Sequence, residues 1–299
     1  MRLRASFLLL MLLPAIVRAA PAEQETIKFI QSLQNADGGF LSAPQDPNVD
    51  QAPRSSLRAT SSAIRALKYF GGELPNRGKV EKYVASCFDA TTGGFSDVPQ
   101  GKPDFFITAI GIMAVVELKM NEDPYVSKAI PFLTAAKEFE DVRLAAAGME
   151  AAKRFVPETV AAWLRQMAEL RNDDGSYGKS KGEARMTGSV VALILRANGK
   201  LTDAEKKSSL QVLHNGQQTD GGFAKPDAKA SDLETTYRVM RAYMMLKEKP
   251  KDVAKLKEFV AKCRNKDGGY GIAPGQPSNI SGTYFAGIVV HWLKPVGDR

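Results

Sequence analysis

Residues 220–240 read DGGFAKPDAKASDLETTYRVM. The turn Asp220-Gly221-Gly222-Phe223 is followed by a polar gap and then by Thr235, which opens an apolar run. The same order recurs at Asp37-Gly38-Gly39-Phe40 before Thr60, and at Thr92-Gly93-Gly94-Phe95 before Thr108. It returns at Asp174-Gly175-Ser176-Tyr177 before Thr187, and at Asp267-Gly268-Gly269-Tyr270 before Thr283. Three of the four intervals between these threonines are 48 residues. Self-similarity at such a period marks a repeat architecture.

Each unit reads as helix, glycine turn, helix, and the two helices differ in kind. Before the turn, Val253, Leu256, Phe259, Val260 and Cys263 form one apolar stripe while Lys251, Lys255, Lys257, Glu258 and Lys262 face away, which suits an outer layer. After the turn the helix is apolar nearly all round, as in Phe105 to Val116, which suits an inner layer buried on two sides. Proline at 75, 124, 157 and 250 and the capping box Thr202/Glu205 mark the starts of outer helices. The 79-residue interval from Thr108 to Thr187 holds two units, the extra one with its turn shortened to residues 137–141. Six pairs predict an all-α fold, an α/α toroid (α6/α6 barrel) of six helix-hairpin repeats, as one domain over residues 20–299.

The first 19 residues carry Arg2 and Arg4, then an apolar stretch to Val17 that is too short to span a bilayer, then small residues. This is the pattern of a signal peptide, so the expected location is outside the cytosol, periplasmic or secreted. Removing 1–19 leaves +5 of the chain's formal charge of +8. With no block of like charges and no later apolar span, neither nucleic acid nor a membrane span in the mature chain is expected. Cys87 and Cys263 stand at equal places in different repeats, which favours packing over a disulfide.

A glycine turn, an aromatic, a polar gap and a helix opening on threonine resembles the repeats of protein prenyltransferase β subunits and squalene cyclases, over nearly the whole mature chain. The resemblance implies a toroid with an isoprenoid diphosphate in its central cavity and, in the transferases, a zinc ion at the inner-helix heads. Lys229 and Asp232 match the family's diphosphate lysine and zinc aspartate, and Arg143 matches an arginine of the isoprenoid channel. Pro226 replaces a diphosphate arginine, Glu234 replaces the zinc cysteine and Gly282 replaces the zinc histidine. No cofactor is therefore expected; zinc would meet an incomplete ligand set, since a catalytic site needs three protein ligands. The cyclases' Asp-x-Asp-Asp acid is missing as well.

The acidic pair Asp232 and Glu234 at the head of the fifth inner helix is the catalytic candidate, as an acid and base of split pKa or a hard-cation site. The same residues read equally as a helix cap and its first-turn acid. Arg143, Lys229, Thr235 and Thr283 are the ligand-binding candidates, although threonines at helix heads also serve as caps. Phe105, Phe106, Tyr237 and Tyr284 are aromatics for stacking or for the core, and Arg54 and Arg58 are candidate anion-binding charges. The expected function is an exported binding or scaffolding domain without an intact zinc site, holding an apolar or polymeric ligand in its cavity or meeting a protein partner. The alternative is an enzyme: an isoprenoid transferase or terpene cyclase with a rebuilt site, or a carbohydrate-active lyase or hydrolase.

Overall fold

The computed structural model describes residues 21–46, 48, 52 and 54–294; residues 1–19, where a signal peptide is expected, lie outside them. Among the described residues the regular elements are helices. The outer ones are α1 (Pro21–Ser32), α3 (Arg77–Ser86), α5 (Asp123–Thr134), α7 (Pro157–Glu169), α9 (Asp203–Asn215) and α11 (Val253–Lys262). The inner ones are α2 (Leu57–Phe70), α4 (Phe105–Glu117), α6 (Phe139–Ala151), α8 (Ala184–Arg196), α10 (Leu233–Leu246) and α12 (Ile280–Leu293). Each inner helix packs on the next, and α12 packs on α2, so the ring closes as the repeats predict.

The turns are the joints of this ring. Gly221 has φ +91°, and a Cβ there would lie 2.2 Å from the Lys255 carbonyl carbon on α11, so the turn rests against the outer helix of the next unit. Gly38, Gly93 and Gly175 approach Lys79, Lys128 and Ser208 in the same way, and Gly268 approaches Glu25 of α1. The aspartate that opens the turn fixes it: Asp220 Oδ1 accepts from Gly222 N–H (2.9 Å) and from Ser231 Oγ (2.7 Å). The aromatics that follow, Phe40, Phe95, Tyr177 and Phe223, are fully buried.

Each of these aromatics donates its backbone N–H to a threonine hydroxyl at the head of the inner helix. Phe40 donates to Thr60 (2.9 Å), Phe95 to Thr108 (2.9 Å), Tyr177 to Thr187 (3.0 Å) and Tyr270 to Thr283 (3.0 Å). In the fifth unit the acceptor is Thr236 (3.1 Å), which corrects the placing of Thr235 in the repeat frame. The reason is the cap: the threonine stands four residues after the N-cap, as in Ser56/Thr60 and Asn279/Thr283, and the N-cap of α10 is Asp232. In the shortened unit Val142 occupies the threonine place after Glu138, and Trp163 Nε1 secures the link by donating to Ala136 O (3.2 Å).

Neighbouring units are also stitched through backbone. The first N–H of an inner helix donates to the loop of the next unit: Leu57 to Asp97 O (2.7 Å), Leu233 to Ile272 O (2.8 Å) and Ile280 to Ser42 O (2.9 Å). The last of these joins the sixth unit to the first. Cys87 and Cys263 are free and buried at equivalent outer-helix ends, and burial pushes both thiols up to about 12. Among the described residues no helix is long and apolar enough to cross a membrane.

Candidate functional site

Six parallel inner helices leave a cavity of about 660 Å³ on the ring axis. Its lining follows from helical register: relative to the threonine place, the residues two before and one, two, five, eight or nine after face the axis. On α4 and α6 these places hold mostly apolar groups, among them Phe106, Ile110, Met113, Val116, Leu144 and Ala147. On α2, α8, α10 and α12 they hold Arg58, Arg65, Arg196, Tyr237, Arg238, Arg241, Tyr284 and Phe285. The cavity therefore has an apolar wall and a cationic, aromatic wall.

Near the helix heads the charges alternate and neutralise one another. Arg143 meets Glu140 (2.8 Å), Glu140 meets Arg238 (2.7 Å), Arg238 meets Glu234 (2.7 Å) and Glu234 meets Arg185 (2.9 Å). Burial would raise the Glu140 carboxyl, but the Arg238 and Arg143 guanidiniums outweigh it and bring it down to about 2. Glu234 is likewise held below the ordinary carboxylate range, burial being outweighed by Arg238 and Arg185. Arg143 itself is pulled down, by burial first and then by Arg238.

Further along the axis the cations outnumber the acids. Arg196 is paired with Glu150 (2.6 Å), and burial together with Arg241 lowers it to about 10. Arg65 stacks on Tyr284 (4.7 Å) and reaches Met113 Sδ (3.7 Å). Arg241 donates to the Tyr237 hydroxyl (3.0 Å) and lies over Trp292 (4.7 Å). Among the described residues no carboxylate lies within ion-pair distance of Arg65 or Arg241. The rings form one cluster, with Tyr237 stacked on Trp292 (5.7 Å) and tilted against Tyr284 (5.8 Å) and Phe285 (4.9 Å).

Of the residues singled out from the sequence, Arg143 and Glu234 line the cavity, as do Arg58, Phe106, Tyr237 and Tyr284. Asp232 caps α10, its carboxylate accepting from the N–H and the hydroxyl of Thr235 (both 2.8 Å). Asp232 and Glu234 thus engage different partners. Thr235 and Thr283 are fully buried in head contacts, Thr283 donating to Asn279 O (2.8 Å). Lys229 and Arg54 are exposed, and Phe105 packs on Phe132 (5.2 Å) beside the outer helix α5. Arg65, Arg196, Arg238 and Arg241 escaped the sequence reading; their signal was their spacing of two, five or nine residues from the threonine place.

The positions that the resemblance assigns to zinc do not suit that ion. Asp232 is engaged in its cap, and Glu234 is engaged by two guanidiniums. Gly282 contributes no donor, and a Cβ there would lie 2.6 Å from Tyr270 O, so a histidine would collide with the turn. His214 is on the outer layer, stacked on the Tyr243 ring (5.7 Å), and His291 lies tilted against Tyr69 (5.0 Å).

A family model described as "Prenyltransferase alpha-alpha toroid domain" matches residues 5–76, 60–135 and 143–294. No curated protein sequence matches the chain significantly. Among solved structures, Candida albicans protein geranylgeranyltransferase-I complexed with GGPP is similar at a TM-score of 0.63 and 13% identity, over 78% of this chain and 83% of that one. A protein from Actinoplanes aligns at a TM-score of 0.60 and 13% identity, over 91% and 98% of the two chains. A variant of the type II terpene cyclase MstE from Scytonema, in complex with geranylgeranyl dihydroxybenzoate, aligns at a TM-score of 0.59 and 10% identity, over 91% and 95%. At these identities the likeness is one of fold.

Proposed function

The chain belongs to the prenyltransferase alpha-alpha toroid family, and from that premise we propose that it is a binding domain whose central cavity takes an anionic amphiphile. The observation that carries this reading is the division of the cavity into an apolar wall on α4 and α6 and an arginine-aromatic wall on α2, α10 and α12. A hydrocarbon body gains about 25 cal/mol for each Å² it buries on the first wall. A carboxylate or phosphate head meets on the second wall two guanidiniums, Arg65 and Arg241, that no carboxylate among the described residues pairs with. The ligands in the neighbours' structures, GGPP and geranylgeranyl dihydroxybenzoate, each join an apolar chain to an acidic head. Binding is favoured over acid catalysis because Glu234, held ionised by two arginines, is a poor proton donor. In this reading the segment before residue 20 exports the domain, and the cavity works without zinc.

Calorimetric titration with decanoate and with decanol tests the assignment. Decanoate binds one per chain and decanol about tenfold more weakly or worse, the worth of a single charge-assisted contact. Replacing both Arg65 and Arg241 by methionine brings decanoate down to the level of decanol. Equal affinity for the acid and the alcohol in the unaltered protein would overturn it.

A further inference from the structure

Arg65 and Arg241 each stand five residues after a repeat threonine, on the two helices that flank α12, and both face the same deep space. The Nε of Arg241 and the hydroxyl of Tyr284 are buried there without a hydrogen-bond partner. The Arg65 and Arg241 side chains are partly exposed to the cavity, and two like charges that share it repel unless an anion lies near them. A negative charge among these guanidiniums relieves that repulsion.

The groups that face this space can be taken helix by helix. On α2 they are Arg65 and Tyr69, and on α4 Glu117, which is held by Lys68 (2.7 Å). On α6 they are Arg143 and Glu150, bound to Glu140 and to Arg196 respectively, and on α8 Arg196 itself. On α12 they are Tyr284 and His291, the latter against Tyr69. On α10 they are Arg241, Arg238 with Glu234, and Tyr237. Every carboxylate is already matched to another cation. Tyr284 and Tyr69 also face these guanidiniums, and among the described residues Tyr237 is the phenol whose oxygen accepts a hydrogen bond from Arg241 (3.0 Å), with Arg65 and Arg196 acting on it.

We propose that this deep pole is an oxyanion site in which the Tyr237 phenolate is the resident counter-anion of Arg65 and Arg241, and that an entering carboxylate or phosphate head replaces it there with uptake of one proton. No covalent bond to the ligand forms or breaks. The head accepts the guanidinium N–H groups, and the displaced phenolate, now beside a second negative charge, takes a proton from solvent, so the charge of the site is conserved. Electrostatics support this. Burial would raise the phenol, but Arg241, Arg65 and Arg196 outweigh it and hold Tyr237 well below the ordinary phenol range. Tyr284, with burial dominant, is held well above that range and stays neutral. Anion affinity accordingly falls as pH rises through the titration of Tyr237, because the phenolate competes for the same cations. The proposal takes only its ligand class from the cavity reading.

The free, full-length protein provides the first test. The ultraviolet difference between it and Tyr237→Phe shows one tyrosinate at about pH 8, where a solvent tyrosine, ionising near about 10, is neutral. Saturating decanoate, whose carboxyl stays ionised throughout this range, removes the band. Calorimetry in two buffers of different ionisation enthalpy gives close to one proton taken up per decanoate in the unaltered protein and none in Tyr237→Phe. The variant, lacking the resident anion, binds decanoate about tenfold more tightly at about pH 8, the equivalent of about 1.4 kcal/mol. A free protein without the tyrosinate band overturns the proposal. So does decanoate binding with no proton uptake, an outcome that leaves the cavity's assignment to amphiphiles standing.

Discussion

Thr235 and Thr236 are adjacent, chemically identical and both fully buried, yet they do different work. Thr236 Oγ1 is the acceptor for the buried N–H of Phe223, whereas Thr235 donates to a half-buried carboxylate that keeps a second partner. Thr236→Val orphans a backbone donor and should cost about 1–3 kcal/mol, while Thr235→Val should cost about 1 kcal/mol or less. Urea unfolding of the two variants checks this, and equal losses would return the repeat frame to Thr235. The sequence shows that a threonine stands here. Which of two neighbours carries the repeat depends on where α10 is capped, and that needs the helix.

At the scale of the element, the hairpin turn is defined more by what it touches than by its own flexibility. Gly71 ends α2 with φ +74° and open space where a Cβ would be. Gly221 has a similar φ but lies against the backbone of α11. Gly71→Ala should therefore cost about 1–2 kcal/mol, the left-handed penalty alone. Gly221→Ala adds a backbone displacement in the neighbouring unit, which puts its loss at about 3 kcal/mol or more. Thermal unfolding of both proteins separates the two contributions, and similar losses would mean that the turn does not dock on α11. The alternation of amphipathic and all-round apolar helices was legible because the outer layer meets water on one side and the inner layer does not. The cavity-facing arginines were harder to see, because on an inner helix they break an otherwise apolar pattern and resemble isolated exceptions until the register is known.

The whole molecule is closed by a seam that the sequence shows only as its two ends. Thr26 Oγ1 donates to Gly268 O (2.7 Å), Arg264 pairs with Glu25 (2.7 Å), and Phe29 covers Gly269 as Phe259 covers Gly222 within the chain. Phe29→Ala and Phe259→Ala should each lower stability by about 3–5 kcal/mol in a single transition if the ring unfolds as one unit. A Phe29→Ala protein in which α1 frays while the main transition stays put, as hydrogen exchange would reveal, would show that closure is not coupled to the rest.

From the sequence alone came the repeat, the two kinds of helix, the count of six pairs and the loss of sulfur and imidazole at the zinc positions. The first three follow from local periodicity and residue chemistry, which a linear chain carries in full, and the last from the resemblance to the prenyltransferase repeats. Only the tertiary structure decided that Asp232 and Glu234 part company, that Thr236 replaces Thr235 in the frame, and that Arg65, Arg241 and Tyr237 share one space. Arg65 on α2 is remote in sequence from Tyr237 and Arg241 on α10, and the balance of charge between the two helices is set by distances across the ring. No spacing along the chain encodes those distances.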